Sequence, residues 1–469
     1  MKFLFALLLM CFVIGVDGKT WNVGPQWDHK APSAVASLVG TGDTVWIEAG
    51  IYPGDVCKWT ADKLYIAGKG GRAVLDAQRM GYGGKAIWVI AGSETLIENI
   101  DFLHCEVVDR NGAGIRLEGK HLTLRYCSFV ENQNGILAGD NPLSDILIEH
   151  CEFAANGSGN GFTHNIYINR VRTLTLRYNY IHHAYYGHEV KSRAQQNVIL
   201  YNRITSEDGD ASYEIDLPNG GQALVMGNVI QQSKFSDNNT IIAYGLEGMS
   251  NSGPHKLCFL FNTVVSNEDK GVLFNVQSKM DTLMFANNIV AGNLTLLNGI
   301  PNAYYQQGNC IRLQSSDVRF VDESRYDFHL EANSPAIDSS TQLDGSLLGY
   351  EFVPAREYVH PAGGKERFFD GRPDRGAFEK QQVTAVHSTG KANRLVLAHW
   401  DPEVSGIVLA WSGQLSPDAG IFIRLIHISG TLVFEGKVRD GDVLSTKGWA
   451  SGHFLLVSEF GYQHIAVGR

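Results

Sequence analysis

The chain has 469 residues, of which 44% are hydrophobic and 19% are charged, and 51 are glycine. This composition supplies a large apolar core, excludes a disordered chain and indicates one large domain plus a smaller one. A formal net charge of −10 disfavours a protein that coats nucleic acid, so we expect no nucleic-acid partner.

Residues 1–18 have the pattern of an export signal peptide. Lys2 precedes an apolar run from Phe3 to Val16, and small residues suit cleavage before Lys19. No later stretch provides the roughly eighteen apolar residues of a transmembrane helix. We therefore expect a secreted or cell-surface bacterial protein that is monomeric and has no transmembrane segment. Six cysteines follow the signal, an even count that permits disulfides without establishing any: Cys57, Cys105, Cys127, Cys151, Cys258 and Cys310.

Short apolar segments recur from Leu96 to Val290, beginning with LIENIDF and ending with LMFANNIV. Aligning them gives one column, mostly in steps of about 23 to 28 residues: Ile100, Cys127, Cys151, Asn179, Asn202, Asn228, Asn262 and Asn287. Such a period is typical of a solenoid, and short strands without helical spacing favour a right-handed parallel β-helix. The Asn amides are expected to hydrogen-bond from coil to coil, with Cys as a small hydrophobe in the same column.

The predicted fold class is therefore all-β, a right-handed parallel β-helix solenoid followed by a small C-terminal β-sandwich-like domain. The stretch GDTVWIEAGIYPGDV, residues 42–56, resembles the opening of many right-handed β-helix proteins of the pectate-lyase-like superfamily. We expect the solenoid to occupy residues 19–310. Residues 311–385 contain YDFHLEANSPAIDSS and ERFFDGRPDRGAFE, which resemble the closing segment of bacterial members, so we expect a C-terminal cap and linker there.

Residues 386–469 have a separate β pattern. The run IFIRLIHISGTLVFEG, the turn at Leu444–Thr446 and the small residues at Ala450–Gly452 resemble the C-terminal sorting domain of the type IX secretion system of Bacteroidetes. The resemblance implies the type IX secretion machinery as a partner. The Asn-Pro pair usual near the start of that domain is absent, and a small carbohydrate-binding or immunoglobulin-like module is the alternative.

Three segments align in the middle of the solenoid: HNIYINR from residue 164, HEVKSRA from 188 and YEIDLPN from 213. Their shared apolar column, Ile166, Val190 and Ile215, should point inward, because side chains alternate along a strand. Two outward columns are then expected: Asn165, Glu189 and Glu214 in one, and Tyr167, Lys191 and Asp216 in the other. Such a face suits an extended acidic polysaccharide. The predicted substrate-binding residues are His164, Asn165, Tyr167, Asp216, Asn219, Tyr244 and Glu247.

The run HEVKSRAQQNVILYNRI resembles the Lys-Ser segment of the polysaccharide lyases that include chondroitinase B and alginate lyases. The resemblance implies that Lys191 is the catalytic base and that calcium, held by Glu189 and Glu214, binds the substrate carboxylate. The catalytic arginine run of that family is replaced here by YEIDLPNGG, with Arg193 as the candidate substitute. The block also resembles a wider set of bacterial β-helix proteins whose activities are not defined.

Three functions follow from these residues. In a lyase, Lys191 removes a proton, His188 or Tyr213 protonates the leaving oxygen, and Arg193 or calcium holds the carboxylate. Arg193 should lower the pKa of Lys191, and neighbouring carboxylates should raise it. In a hydrolase, Glu189 and Glu214 would form a retaining pair roughly 5 Å apart. In a non-catalytic glycan-binding protein, the charges are a solvated ion-pair ladder.

Overall fold

The structure is a computed structural model that forms two compact units, Met1–Gln382 and Val383–Arg469. It describes residues 18–369, 371–380, 395–401, 406–412, 421–427, 432–439, 442–445, 452–458 and 461–467. Residues 1–17 of the expected signal peptide lie outside this described part, as do Thr446, Ala450 and Ser451 of the expected sorting-domain motifs. Within the described part, no helix has the length and apolar character needed to cross a membrane.

The first unit is a solenoid whose parallel strands stack into three faces. Face 1 consists of Thr20–Val23, Thr44–Ile51, Tyr65–Asp76, Ser93–Glu98, Lys120–Arg125, Asn141–Glu149, Val171–Arg177, Gln196–Leu200, Gln222–Met226, Lys256–Leu260, Thr282–Ala286 and Ala303–Gln307. Face 2 consists of Ile100–Leu103, Ser128–Val130, Glu152–Ala154, Tyr180–His182, Arg203–Thr205, Val229–Gln232, Thr263–Ser266, Ile289–Ala291 and Cys310–Arg312. Face 3 consists of Cys57–Trp59, Ala86–Ile90, Ala113–Leu117, Asn134–Ala138, Ile166–Ile168, Val190–Ser192, Ile215–Leu217, Thr240–Tyr244, Gly271–Val276 and Leu294–Asn298.

Each strand pairs with its counterpart one coil away, so side chains of the same kind stack inside the solenoid. On face 3, Ile166 pairs with Val190 and Val190 with Ile215, and all three are fully buried, which confirms the predicted inward column. On face 2, neighbouring Phe rings stack at centroid distances of 4.8 and 4.6 Å. The parallel β-helix predicted from the repeat is therefore the observed architecture of this unit.

A row of buried Asn side chains, which we call the amide ladder, lies at the corner between faces 1 and 2. Its members are Asn179, Asn202, Asn228, Asn262, Asn288 and Asn309. Each Nδ2 donates to the next Oδ1 at 2.9 to 3.1 Å. Cys127 and Cys151 precede the ladder in the same column, as predicted. The prediction of Asn287 was wrong by one residue, because Asn287 turns the chain with a φ of 57° and Asn288 takes the ladder position.

Both ends of the solenoid are capped. A short helix, Ser33–Ala36, buries Val35 at the N-terminal end. The C-terminal cap contains the 3-10 turns Ser315–Asp317 and Glu323–Arg325 and the strands Phe320–Asp322, Asp327–Leu330, Ser346–Leu347, Tyr350–Glu351, Arg356–Val359 and Gly363–Glu366. Residues 343–367 of this cap, the return segment, run back over the outside of face 1, where Leu343 and Phe352 pack on Leu200 and Leu224.

Other cap residues cover the outside of face 2, since Phe328 and Phe378 pack on Val229 and Val265. The six cysteines after residue 18 are buried free thiols, so none of them forms a disulfide.

The second unit consists of two antiparallel sheets, in agreement with the predicted small β-sandwich-like domain. Its strands are Leu395–Asp401, Gly406–Ser412, Ile421–His427, Leu432–Val438, Val443–Ser445, Gly452–Ser458 and Gly461–Val467. Three of them form one sheet and four form the other, with the Ile421–His427 strand between two neighbours.

Candidate functional site

The outward side chains of face 3 bring charged groups together in the middle of the solenoid. Tyr167 pairs with Lys191 and Lys191 with Asp216 in successive coils, so their side chains follow one another on the outer surface. Arg193 follows the Lys191 strand, and Glu247 lies on the loop after Thr240–Tyr244. We call Lys191, Arg193, Asp216 and Glu247 the Lys191 cluster.

The cluster is a connected ion-pair network. Lys191 Nζ lies 3.1 Å from Asp216 Oδ2 and 2.7 Å from Glu247 Oε1. Arg193 Nη2 lies 2.5 Å from Glu247 Oε2. The side chains differ in exposure, at 12% for Lys191, 18% for Arg193 and 5% for Asp216, but 46% for Glu247. Three members are therefore shielded by the surrounding protein, and the carboxylate of Glu247 faces solvent.

Neutral aromatic groups line one side of the cluster. His164 and His188 stack at 4.5 Å, and His188 lies 4.8 Å from the Tyr213 ring. The backbone N–H of His188 donates to His164 Nδ1, and that of Tyr213 donates to His188 Nδ1. Both imidazoles thus accept at Nδ1, which leaves the proton of the neutral ring on Nε2. The His188 Nε2 atom lies 3.6 Å from Asp216 Oδ2.

Protonation in the cluster follows from burial and neighbouring charges. Burial disfavours the ammonium of Lys191, but Asp216 and Glu247 outweigh it and raise the pKa of Lys191. Of the two opposing effects expected from the sequence, the raising of the Lys191 pKa by neighbouring carboxylates therefore outweighs the lowering by Arg193. Burial raises the pKa of Asp216 despite Lys191, whereas hydrogen bonds from Lys191 and Arg193 outweigh burial and lower the pKa of Glu247.

The aromatic side chains keep fixed protonation states near neutral pH. Burial, followed by the charge of Lys191, lowers the pKa of His188 to about 3, so the ring is neutral. Burial lowers the pKa of His164 as well. Burial raises the pKa of Tyr213, which therefore keeps its phenolic proton.

The expectation that Asn165, Glu189 and Glu214 face outward was wrong. All three are fully buried at the corner between faces 2 and 3. Each one directly precedes a strand, where the chain is still turning the corner, so the alternation of a strand does not apply. Tyr244 is also buried, because it pairs in register with the inward Leu217, and its hydroxyl donates to the Gly221 carbonyl.

These buried groups form a second row, which we call the mixed ladder: Asn132, Asn156, Asn165, Glu189 and Glu214. Asn165 Nδ2 donates to Glu189 Oε2 at 2.5 Å, and the Ala184 N–H donates to Glu189 Oε1 at 2.9 Å. The Ser206 hydroxyl donates to Glu214 Oε1, while Glu214 Oε2 has no hydrogen-bond partner. Burial raises the pKa of Glu189 to about 8 and raises that of Glu214 as well.

These two carboxyls do not fit the calcium site that the lyase resemblance implied. Calcium takes about six to eight oxygen ligands and requires ionised carboxylates. Here both side chains are inside the coil, and the oxygens of Glu189 already accept two N–H groups. No group of three or more His, Cys, Asp or Glu side chains arranged to hold a metal occurs among the described residues.

The remaining predicted residue, Asn219, contacts the cluster through Arg193. Its Oδ1 accepts from Arg193 Nη1 at 2.7 Å, and its Nδ2 donates to Ser250 Oγ at 2.5 Å. Ser250 and Asn251, which sequence reasoning missed, hold the loop of Glu247: Asn251 Nδ2 donates to the carbonyls of Ala194 and Gly220. The only signal for them was the longer step before Asn262, which indicates an inserted loop.

A groove of about 730 Å³ lies at the corner between faces 2 and 3, over coils nearer the N terminus. It is lined partly by Arg79, Arg110, Gln133 and Tyr185, and Tyr185 belongs to the loop that also carries His188. The groove and His188 therefore lie where the strands of face 3 begin, whereas Arg193 and Glu247 follow the ends of their strands.

Comparison with known proteins addresses the fold. A family model described as a right handed beta helix region matches residues 55–165. No curated protein and no solved structure matches the chain at a significant level. Together with the stacked parallel strands, the match defines the class of this molecule as a right-handed parallel β-helix protein. The Lys191 cluster lies beyond the matched residues.

Proposed function

We propose that this protein is an exported polysaccharide lyase that cleaves a uronate-containing glycan by β-elimination at the Lys191 cluster. The observation that carries the proposal is the side-by-side arrangement of Lys191 and Arg193 on the outer surface of face 3, with the ring of the protonated Tyr213 4.8 Å from that of the neighbouring His188. Elimination next to a carboxylate requires a cation for that carboxylate, a base and a proton donor. The cluster and its aromatic side supply all three.

Arg193 binds the uronate carboxylate and stabilises the negative charge that develops when the neighbouring C5–H bond breaks. Lys191 must first release its own proton, and Asp216, with its raised pKa and 3.1 Å distance, is placed to take it. The electron pair from C5–H forms the C4–C5 double bond as the C4–O bond breaks. Tyr213 gives its proton to the leaving oxygen, which balances the proton taken by Lys191, and no water is consumed.

A hydrolase remains the second candidate, on a different pair of carboxylates from the one expected. Glu189 and Glu214 are buried, but Asp216 and Glu247 both contact the ammonium of Lys191. Two carboxylates that share one ammonium can approach the roughly 5 Å spacing of a retaining pair. Their pKa values are also shifted in opposite directions, as expected for an acid and a nucleophile.

The deciding experiment incubates the purified full chain with alginate, chondroitin, dermatan or pectate, with calcium and then with a chelator. Ultraviolet absorbance of unsaturated uronyl ends and the appearance of reducing ends are followed together. Lys191→Ala should reduce the absorbance rate roughly 10³-fold, because the base is lost. Lys58→Ala is the matched control, since Lys58 is an outward lysine on face 3 that pairs with Glu118.

Loss of the absorbance signal in Lys191→Ala alone would support the lyase. Reducing ends without absorbance would identify a hydrolase, and neither signal on any glycan would leave a non-catalytic glycan-binding protein; either result overturns the proposal.

Export is proposed to use the second unit as a type IX sorting domain. Its two antiparallel sheets support a compact β module that follows the solenoid unit in the sequence. Deleting residues 383–469 should keep the protein inside a Bacteroidetes host with a type IX system. Unchanged appearance of the truncated protein outside the cell would favour an attached carbohydrate-binding module.

A further inference from the structure

The carboxylate of Glu247 binds the cationic pair Lys191 and Arg193 in the way that a substrate carboxylate would. Its two oxygens divide between Lys191 Nζ at 2.7 Å and Arg193 Nη2 at 2.5 Å. A planar carboxylate that bridges two cationic donors is a common mode of carboxylate recognition in proteins. Glu247 is also the most exposed member of the cluster, so an incoming carboxylate meets it first.

The cationic pair is held in place without Glu247. The Tyr167 hydroxyl accepts from Arg193 Nε at 3.1 Å, and Asn219 Oδ1 accepts from Nη1 at 2.7 Å. Asp216 holds Lys191 from the protein side. If Glu247 moved away, both cations would therefore keep their positions and present a preformed site.

The loop backbone is likewise fixed independently of the Glu247 carboxylate. The Gly245 N–H donates to Leu217 O at 2.9 Å, and the Glu247 N–H donates to Pro218 O at 3.1 Å. Asn251 ties the far side of the loop through its side chain. Rotation of the Glu247 side chain alone can thus open the site, with no movement of the loop.

We propose that Lys191 and Arg193 form a carboxylate subsite, that Glu247 fills it in the free protein, and that a uronate carboxylate of the glycan displaces Glu247 on binding. The choice of a uronate as ligand rests on the proposed function, although the displacement itself concerns binding alone. A neutral sugar has no group to exchange with Glu247, so the subsite selects acidic glycans.

The test uses the full chain with Glu247→Gln, which keeps the side-chain shape and removes its charge. Free galacturonate, glucuronate and guluronate are titrated by calorimetry, since monosaccharides have no glycosidic bond to cleave, with glucose as the neutral probe. We expect the variant to bind at least one of the uronates about tenfold more tightly than the unaltered protein, and glucose unchanged. Arg193→Met added to Glu247→Gln should abolish the gain.

Glu351→Gln, a change at an exposed Glu in the cap, is the control and should leave uronate binding unchanged. Equal or weaker uronate binding by Glu247→Gln would overturn the inference, as would an equal gain for glucose. In the polysaccharide assay, release of reducing ends without unsaturated ends that is lost in Glu247→Gln would also overturn it, because Glu247 would then be a hydrolase carboxylate. A gain in uronate binding without any unsaturated product would retain the inference and reject the lyase, so the two failures are distinguishable.

Discussion

Two of the three corners of the solenoid satisfy buried backbone groups with different chemistry. At the corner between faces 1 and 2, the amide ladder continues through six Asn side chains, and each Oδ1 after that of Asn179 accepts both a backbone N–H and a side-chain amide. At the corner between faces 2 and 3, the mixed ladder changes from Asn165 to Glu189 and Glu214. Of these two ladders only the mixed ladder contains carboxyl groups, and it lies directly beside the strands that carry Lys191 and Asp216.

This difference shows that one corner of a coil can repeat the same amide without change, while another corner of the same coil carries carboxyl groups that titrate. An amide supplies a donor and an acceptor at every pH, so it repeats without penalty. A buried carboxyl must remain protonated to avoid the cost of an unpaired charge, so its contribution depends on pH. Three substitutions test the comparison.

Asn228→Ala should have the largest effect on stability. It removes the acceptor of both the N–H and the Nδ2 of Asn202, and the donor to the Ile199 carbonyl. Three buried groups at about 1 to 3 kcal/mol each lead us to expect a loss of roughly 3 to 5 kcal/mol in the free energy of unfolding. Urea unfolding followed by the fluorescence of the buried Trp59 and Trp88 measures it.

Asn302→Ala is the control, because Asn302 is exposed and its hydrogen bond is made by the backbone N–H, which the substitution keeps. It should change the free energy of unfolding by less than about 0.5 kcal/mol. A similar small loss in Asn228→Ala would mean that the amide ladder contributes little beyond its packing.

Glu189→Gln should make stability less dependent on pH. The unfolded chain releases this proton near 4.5, and the folded protein keeps it until about 8. The protonated carboxyl therefore contributes stability below pH 4.5 that is lost as the pH rises to 8, at up to about 1.4 kcal/mol per pH unit. Gln loses one acceptor, at a cost of about 1 kcal/mol, but cannot ionise.

We expect the variant to be the less stable protein near pH 4.5 and the more stable one near pH 8, as measured by urea midpoints across that range. Parallel curves for the two proteins would show that Glu189 does not hold its proton in the fold.

Cys151→Asn should give the smallest effect, a gain of about 1 kcal/mol. The new amide would extend the amide ladder by one coil, because its Oδ1 can accept the Cys127 N–H that now meets a sulfur at 3.5 Å. Its Nδ2 would donate to Asn179 Oδ1, which now accepts only the N–H of Cys151. Thermal unfolding compares it with Cys151→Ala, which lacks any acceptor and should be less stable than the unaltered protein.

The sequence predicted the solenoid because its repeat has a structural cause, since one ladder residue per coil must recur at the same corner. It failed at Asn287, since two adjacent Asn residues align equally well and only the turn distinguishes them. On face 3 it succeeded inside strands, for Ile166, Lys191 and Asp216, where alternation holds.

At the corners prediction failed. Glu189 and Glu214 stand one residue before their strands. Because Glu is usually exposed, the sequence predicts that they face solvent. In the fold both are buried, and burial raises their pKa values so that they stay protonated. The partners of Glu247 come from loops whose course no local pattern specifies.

The return segment has a consequence for the order in which this chain acquires its shape. The Ala355 N–H donates to the hydroxyl of Tyr201, and His150 Nδ1 lies 2.9 Å from the carbonyl of Ala362, 212 residues later in the chain. The ribosome therefore synthesises the strands of face 1 long before the return segment that covers their outer surface. During that interval Leu200 and Leu224 remain open to water, which makes an unfinished chain prone to association until residue 367 has emerged.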